Sequence, residues 1–262
     1  MILYFVRHGE TDWNVKKKIQ GKTDVPLNET GKQQAKELAD LLLDRKKEGT
    51  LQVVRAYTSP QLRAAQTAQE AAIALDIPYI AADGLREMDM GDWEGRSWES
   101  ITQENAKEYQ DWDANRRYVH TPHGECYNEV LRRALDTLGM ILERETEDVL
   151  IVTHSGVLMA LRCYIAGQTF EEMGIIRYKT KNAAQDARHQ QDEQPDIQGR
   201  GQPGAGLVLL GVVKIGPENL KQLLFQQELQ HDSPSSSRNT SSRESSPLTS
   251  SMVPERISLP PW

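Results

Sequence analysis

The sequence predicts an α/β fold, a three-layer α/β/α sandwich around a mostly parallel central sheet, followed by a disordered C-terminal tail. Short apolar runs alternate with amphipathic helical segments as far as Lys181, which is the order of a sheet covered by helices on both faces. The apolar runs are continuous, as in strands buried on both sides. Hydrophobic residues make up only 38% of the 262 residues, so we expect part of the chain to lie outside the packed core.

The first part of the predicted domain contains two strands and the helices that follow them. Residues 2–6 are an apolar run of the buried-strand type. Leucines and alanines recur at helical spacing over residues 32–47, and Gly49 is placed to end that helix. Residues 53–57 are the second strand candidate. Ser59-Pro60 then predicts a helix start, with serine as N-cap and proline as the first helical residue.

The same alternation continues toward the C-terminus. Residues 125–145 form a helical pattern, 149–153 a third strand and 155–165 a helix directly after it. Strands separated by helices in this way pair in parallel, because the helix carries the chain back to the end of the sheet where the previous strand began.

We divide the chain into a domain, an extension and a tail. The domain covers residues 1–215, with a polar, flexible insertion near 182–206 and a returning edge strand at 207–214. Residues 216–232 are a short helical extension. Residues 233–262 are dominated by serine and proline with few large apolar side chains. Such a segment buries too little surface to offset its ordering entropy, so we expect it to be disordered and dispensable for catalysis.

Charge and composition limit the classes of binding partner that we expect for this protein. Lys and Arg total 31 against 38 Asp and Glu, a net charge of −7, which argues against nucleic acid as a general partner. No apolar run is long enough to span a bilayer, and the first one stops at Arg7-His8, so we expect neither a membrane partner nor a secretory signal. Cys126 and Cys163 have neither a disulfide-framework nor a metal-ligand spacing. These features predict a protein of the reducing cytoplasm.

Three of the predicted strands end in polar residues suited to an oxyanion. The first runs into Arg7-His8, the second leads to Arg63 one turn into the next helix, and the third ends at His154. The carboxyl ends of parallel strands meet at one edge of the sheet, where ligands bind. Guanidinium groups and helix N-termini are the groups that bind phosphate. The sequence therefore predicts a phosphate pocket containing an imidazole.

Beyond this composite, the chain resembles the histidine phosphatase superfamily, the phosphoglycerate-mutase-like proteins. Residues 6–14, Val-Arg-His-Gly-Glu-Thr-Asp-Trp-Asn, look like that family's signature. The other blocks that agree in order and spacing are residues 20–27, 59–68, 85–95, 124–125 and 152–157. An isolated Arg-His-Gly recurs by chance, whereas ordered blocks together are specific. Within the block at 85–95, residues 88–93, Met-Asp-Met-Gly-Asp-Trp, look like the phosphatase branch.

The resemblance implies a catalytic role for each matched residue. His8 is the nucleophile that forms a phosphohistidine. Arg7, Arg63 and His154 hold the phosphoryl oxygens. Glu87 acts as general acid toward the leaving oxygen and then as general base toward water.

The resemblance also implies peripheral phosphate contacts and no bound metal. Asn14 adds a neutral hydrogen bond, and Gln20 and Gly21 lie where the family's loop approaches the substrate. No metal and no cofactor is implied, because the cationic side chains balance the phosphate charge.

Several neighbouring residues are alternatives or have a structural explanation. Glu87 lies among other charged residues that could serve as the acid: Arg86, Asp89, Asp92 and Glu94. His120 and His123 are expected to be surface loop residues, since no zinc-ligand spacing accompanies them. The tryptophans are expected to be packing or lid residues: Trp93, Trp98 and Trp112. One departure from the family is Cys126, which stands where a serine usually follows Gly-Glu.

Three functions are compatible with this reading. The first is a metal-independent phosphomonoesterase acting on a small phosphorylated metabolite. The second is a cofactor-dependent phosphoglycerate mutase, which needs additional basic clamps; Arg116-Arg117 could imitate part of one, but the segment before the second histidine is short. The third is a catalytically silent binding adaptor, which retention of the whole predicted site disfavours.

Overall fold

The computed structural model describes residues 1–167 and 169–170. Its centre is a four-stranded sheet in the order β1-β4-β2-β3, and every pairing is parallel. The strands are β1 (Leu3–Arg7), β2 (Val53–Thr58), β3 (Tyr79–Ala81) and β4 (Asp148–Thr153). Strand β4, the last one within the described residues, therefore lies between β1 and β2, which places the ends of these three strands side by side.

Helices cover both faces of this sheet. They are α1 (Asp12–Val15), α2 (Glu29–Lys47), α3 (Leu62–Leu75), α4 (Trp98–Glu104), α5 (Ala106–Ala114), α6 (Tyr127–Arg144) and α7 (Ser155–Ala166), with short 3-10 turns at Asp83–Leu85 and Gly91–Trp93. None of the helices within the described residues is both long and apolar enough to cross a membrane.

Alternate residues of the strands form two separate cores. Tyr4 and Val6 point to the side covered by α2 and α3, where they pack with Leu38. Leu3 and Phe5 point to the opposite side and pack with residues of α6 and α7. Burying a side chain of this size contributes about 1.5–3 kcal/mol. The predicted three-layer α/β/α arrangement is confirmed.

Two helix starts differ from the sequence prediction. Helix α2 begins at Glu29, before residue 32, because the Asn28 side chain accepts a hydrogen bond from Gly31 N at 2.8 Å. The predicted start of α3 at Ser59-Pro60 is wrong, since Gln61 is the N-cap. Asp24 Oδ1, from a distant loop, accepts from Leu62 N at 2.7 Å. A tertiary contact thus caps α3 in place of the local serine.

The segment between β3 and α6 contains elements that periodicity did not reveal. Helices α4 and α5 meet in a cluster of aromatic rings. Trp93 and Trp112 meet edge-on at 5.4 Å, and Trp98 stacks on Trp112 at 5.7 Å. Trp93 and Trp112 are buried, so the predicted packing role is confirmed for both. The predicted insertion, edge strand, extension and tail (182–206, 207–214, 216–232 and 233–262) lie outside the described residues.

Candidate active site

Two histidines lie side by side at the carboxyl edge of the sheet. In the β1–β4 pair Arg7 is opposite Thr153, and His8 N continues the ladder by donating to Thr153 O at 3.1 Å. His154 follows β4 directly and precedes α7. The two imidazole rings are 5.1 Å apart between centroids, and both are buried. The parallel pairing of β1 with β4 therefore brings His8 and His154 together, although most of the described chain lies between them in sequence.

The backbone selects one tautomer of His8. Its Nδ1 lies 2.7 Å from the carbonyl oxygen of Gly9, and a carbonyl can only accept, so Nδ1 carries the proton in the neutral ring. The lone pair is then on Nε2. This arrangement leaves Nε2 as the nucleophilic atom.

His154 presents two nitrogens that require a partner. Neither Nδ1 nor Nε2 has a hydrogen-bond partner among the described residues, although the side chain is fully buried. A buried polar group left in this condition costs about 1–3 kcal/mol. An oxyanion bound between the two rings would satisfy a nitrogen of His154.

Backbone carbonyls of the loop after α1 hold the Arg63 side chain in place. This fully buried side chain donates from Nη1 to Thr23 O and from Nη2 to Gly21 O, both at 2.9 Å. Burial lowers the pKa of Arg63, but a guanidinium remains protonated in proteins. Arg7, half-buried at the end of β1, supplies the second cation.

These cations and the burial keep both imidazoles neutral. Burial lowers the pKa of His8 well below its ordinary value, and the charges of Arg7 and Arg63 lower it further. Burial likewise lowers the pKa of His154, with Arg63 as the next cause. A neutral ring retains the lone pair that a nucleophile needs. The same environment attracts a phosphate dianion.

We expect the free energy of unfolding to fall as the pH is lowered from about 7 to about 5. Below about pH 6.5 the unfolded histidines bind protons that His8 and His154 exclude in the folded state, so stability present above this pH is lost, by up to about 1.4 kcal/mol per pH unit for each ring. Urea unfolding across this range measures the slope. The His154→Gln variant should flatten it, with His123→Gln, at an exposed position, as the matched control. An unchanged slope in His154→Gln contradicts the prediction.

Glu87 lies over the N-terminus of α7. Its Oε1 accepts hydrogen bonds from Met88 N at 3.0 Å and Gly156 N at 3.1 Å, and its Oε2 is 3.5 Å from Ser155 Oγ. A Cβ at Gly156 would lie 2.4 Å from Oε1, so only glycine permits this approach. Because Gly156 is two residues beyond His154, the contact places the carboxyl group beside the histidine pair.

The other acids near Glu87 have different tasks. Glu94 accepts from Lys22 N at 2.8 Å and Thr23 N at 3.1 Å, so it supports the loop that orients Arg63. Asp89 pairs with Lys22 Nζ at 2.8 Å, while Asp92 pairs with an exposed histidine and Arg86 with Asp83. Of these predicted alternatives, only Glu87 is hydrogen-bonded to α7.

The predicted peripheral residues differ in the hydrogen bonds that they already make. Gly21 adopts φ +53° and contributes its carbonyl to Arg63. The side-chain oxygen of Gln20 is buried without a hydrogen-bond partner among the described residues. Asn14 belongs to the capping box of α1, in which Thr11 is the N-cap and Asn14 Oδ1 accepts from Thr11 N at 3.0 Å. Its Nδ2 is the atom that can donate to a phosphoryl oxygen.

Gln61 is a site residue that sequence reasoning missed. This buried side chain accepts from Glu87 N at 2.7 Å and donates to Gly21 O at 3.0 Å. It therefore connects the segment of the predicted acid to the loop that holds Arg63. Its place inside the matched block at residues 59–68 is the only sequence signal for this role.

A separate open cleft of about 600 Å³ does not include the histidine pair among its lining residues. His120 and Glu129 line it, with His120 Nε2 at 3.0 Å from the carboxylate. Together with Cys126 they offer metal-type ligand atoms within 4.8 Å of one another. The Cys126 sulfur also caps α6, where it replaces the serine hydroxyl of the family. The phosphate chemistry does not use this group.

The sequence matches the profile of the histidine phosphatase superfamily (branch 1) over residues 3–201. Uncharacterized phosphatase PhoE of Bacillus subtilis (strain 168) is 37% identical over 163 residues, 62% of this chain and 76% of that protein. Phosphoglycerate mutase-like protein 4 of Arabidopsis thaliana is 35% identical over 159 residues, 60% and 67% respectively. The 6-phosphofructo-2-kinase/fructose-2,6-bisphosphatase 3 of Rattus norvegicus is 34% identical over 175 residues, but the match spans only 29% of its length.

Solved structures show the same architecture. A mycobacterial glucosyl-3-phosphoglycerate phosphatase in complex with VO3 aligns with a TM-score of 0.59 and 26% identity, over 67% of this chain and 85% of that one. The alpha-ribazole phosphatase from Shigella flexneri aligns with a TM-score of 0.58 and 30% identity, over 66% and 84%.

Proposed function

Since this chain belongs to the histidine phosphatase superfamily (branch 1), we propose that it hydrolyses a small phosphorylated metabolite through a phosphohistidine on His8. The observation that carries the proposal is the pair of buried, neutral imidazoles, 5.1 Å apart, beside two guanidinium groups. The pocket supplies a nucleophile and compensating positive charge at one point. The reaction also requires a proton donor for the leaving group, and Glu87 provides it.

In the first step, Nε2 of His8 attacks phosphorus and the ester P–O bond breaks. Arg7, Arg63 and His154 stabilise the charge on the equatorial oxygens. Glu87 gives its proton to the leaving oxygen, so the alcohol departs neutral. In the second step, Glu87 removes a proton from water, which attacks the phosphohistidine. Inorganic phosphate leaves, and both His8 and Glu87 return to their starting states.

The solved relatives support a small phosphorylated substrate. One is a phosphatase of glucosyl-3-phosphoglycerate and another an alpha-ribazole phosphatase. The test is phosphate release by the purified protein over a panel of sugar phosphates, phosphoserine, phosphoglycerates and ribazole-type nucleotides. Release from at least one compound is expected, and a protein that releases phosphate from none of them contradicts the proposal.

We assign the protein to the reducing cytoplasm, since both cysteines are buried free thiols.

The candidate clamp residues favour a phosphatase over a mutase. Arg116 stacks on Trp112 at 4.9 Å and pairs with Asp113. Arg117 donates to Asn128 at 3.3 Å. These contacts hold both guanidinium groups against neighbouring aromatic and polar side chains, and we infer that neither serves as a substrate clamp. Assays of phosphoglycerate interconversion against phosphate release separate the two activities, and absence of any turnover would indicate the adaptor.

We expect activity to survive exhaustive treatment with EDTA. The proposed pocket balances the phosphate charge with Arg7 and Arg63, which remain cationic at any working pH. The measurement is the rate of phosphate release before and after chelation, with added Mg²⁺ or Zn²⁺ as the control. Complete loss with EDTA and recovery with either metal contradicts the prediction.

A further inference from the structure

We propose that Arg133 and Glu125, outside the phosphate pocket, are positioning residues for the carboxyl group of Glu87. This inference rests on the proposed function, because it assigns the pair a task in proton transfer to the leaving group. Arg133 belongs to α6, and Glu125 lies just before that helix. Within the described residues, the hydrogen bonds of both side chains go to each other and to the segment that carries the acid, and not to the histidines.

The guanidinium of Arg133 binds three backbone carbonyls of that chain, all within residues 84–87. Nη1 donates to Gly84 O at 2.9 Å and to Arg86 O at 2.6 Å, and Nη2 donates to Glu87 O at 3.2 Å. These carbonyls converge on one side chain. Such a planar, multiple donor is specific to arginine, since an ammonium group lacks the fork geometry.

Glu125 completes the arrangement from the other side of the acid. Its carboxylate is a two-point partner of Arg133, at 3.0 Å to Nε and 2.9 Å to Nη2. It also accepts from Asp89 N at 2.9 Å, while Glu125 N donates to Asp89 O at 2.8 Å. The backbone is therefore held both before and after Glu87.

The backbone of Glu87 itself has no unused hydrogen-bonding group. Gln61 accepts from its N–H at 2.7 Å, and Arg133 donates to its carbonyl at 3.2 Å. The side chain then has to fit against Gly156, where a single added methyl carbon would clash. A displacement of about 1 Å at a catalytic group lowers rates by about 10²-fold. Loss of the Arg133 fork is the change that would permit such a displacement.

The pair can be altered without removing a phosphate-binding group. The charge of Arg133 also helps to lower the pKa of His154, and Arg133→Lys keeps that charge while it removes the fork. Arg133 and Glu125 are side chains of the open cleft, with relative exposures of 23% and 26%. Arg132 lines the same cleft, is exposed and carries the same charge. It provides a control that changes the local charge and not the contacts to residues 84–89.

The experiment compares wild type, Arg133→Met, Arg133→Lys, Glu125→Gln and Arg132→Met on two substrates, an alkyl phosphate and p-nitrophenyl phosphate. An alkyl leaving group needs a proton, whereas p-nitrophenolate leaves without one. We expect Arg133→Met to lower the rate of phosphoenzyme formation, measured in the pre-steady-state burst, by about 10–10²-fold on the alkyl phosphate and by less than about 3-fold on the aryl phosphate. Arg133→Lys and Glu125→Gln should show the same selective loss to a smaller extent, and Arg132→Met should match wild type.

The decisive measurement is the combination with Glu87→Gln. If Arg133 acts through the acid, Arg133→Met causes no further loss in that background, because groups acting as a unit are not additive. Equal losses in the rate of phosphoenzyme formation on both substrates, or full additivity with Glu87→Gln, overturn the inference. Thermal unfolding of each variant monitors folding; if Arg133→Met does not fold, Arg133→Lys and Glu125→Gln decide by the same criteria. Wild-type protein without phosphatase activity would overturn the proposed function itself, a separate outcome.

Discussion

A His8→Ala variant is expected to show no measurable turnover and to form no phosphoenzyme. Nε2 of His8 is the atom left with a lone pair once Nδ1 donates to Gly9 O at 2.7 Å. Alanine removes this nucleophile while leaving the phosphate-binding cations in place. The measurement is phosphate release, together with trapping of labelled enzyme under alkaline quench, since a phosphohistidine is labile to acid and survives base.

The control for this prediction is His123→Ala, because that histidine is exposed and pairs with Asp92 at 2.8 Å. It should retain both turnover and the trapped intermediate. A labelled adduct that persists in His8→Ala contradicts the assignment. So does an acid-stable adduct on a serine such as Ser59, which follows β2, or Ser155, the first residue of α7.

A Glu87→Gln variant is expected to lose about 10²–10⁴-fold in turnover of alkyl phosphates, the range for removal of general acid–base catalysis. Glutamine has the same shape, and its carbonyl oxygen can still accept from Gly156 N, so the change removes the proton and little of the packing. Aryl phosphates should lose less in the first step, because their leaving oxygen needs little protonation. Steady-state rates on both substrate types, with the burst of phosphoenzyme measured separately, test this.

The matched control is Asp92→Asn, an acid of the same segment that faces solvent and pairs with a histidine. It should leave the ratio of alkyl to aryl rates unchanged. Equal losses in the rate of phosphoenzyme formation for both substrates in Glu87→Gln would move the acid to another carboxyl group of the segment: Asp89, Asp92 or Glu94.

Local patterns in the chain were sufficient to predict three of the four described strands, β1, β2 and β4, and the carboxyl edge where the candidate site lies. The short, largely exposed strand β3 was not predicted. A continuous apolar run such as 149–153 is stable only when buried on both faces, and a polar residue directly after it must lie at the carboxyl end of the strand. His8 and His154 could be identified for this reason, and so could the cations near them. The family resemblance then added the role of Glu87, which no periodicity indicates.

Contacts between distant segments decided the rest. The start of α3 depends on Asp24, some forty residues earlier, which caps Leu62. The orientation of Arg63 depends on carbonyls of the loop at Gly21 and Thr23. Hydrogen bonds of this kind join residues with no fixed separation along the chain, so composition and spacing carry no trace of them.

The position of Glu87 shows most clearly which properties the sequence determines and which ones the tertiary structure decides. A glutamate in a charged segment was visible in the sequence, with several rivals beside it. Its selection came from Gly156, Gln61 and Arg133, which belong to three different helices or their N-caps and meet only after the sheet has assembled. Residue identity and strand burial are local properties, whereas the direction of a side chain is set by every segment that packs against it.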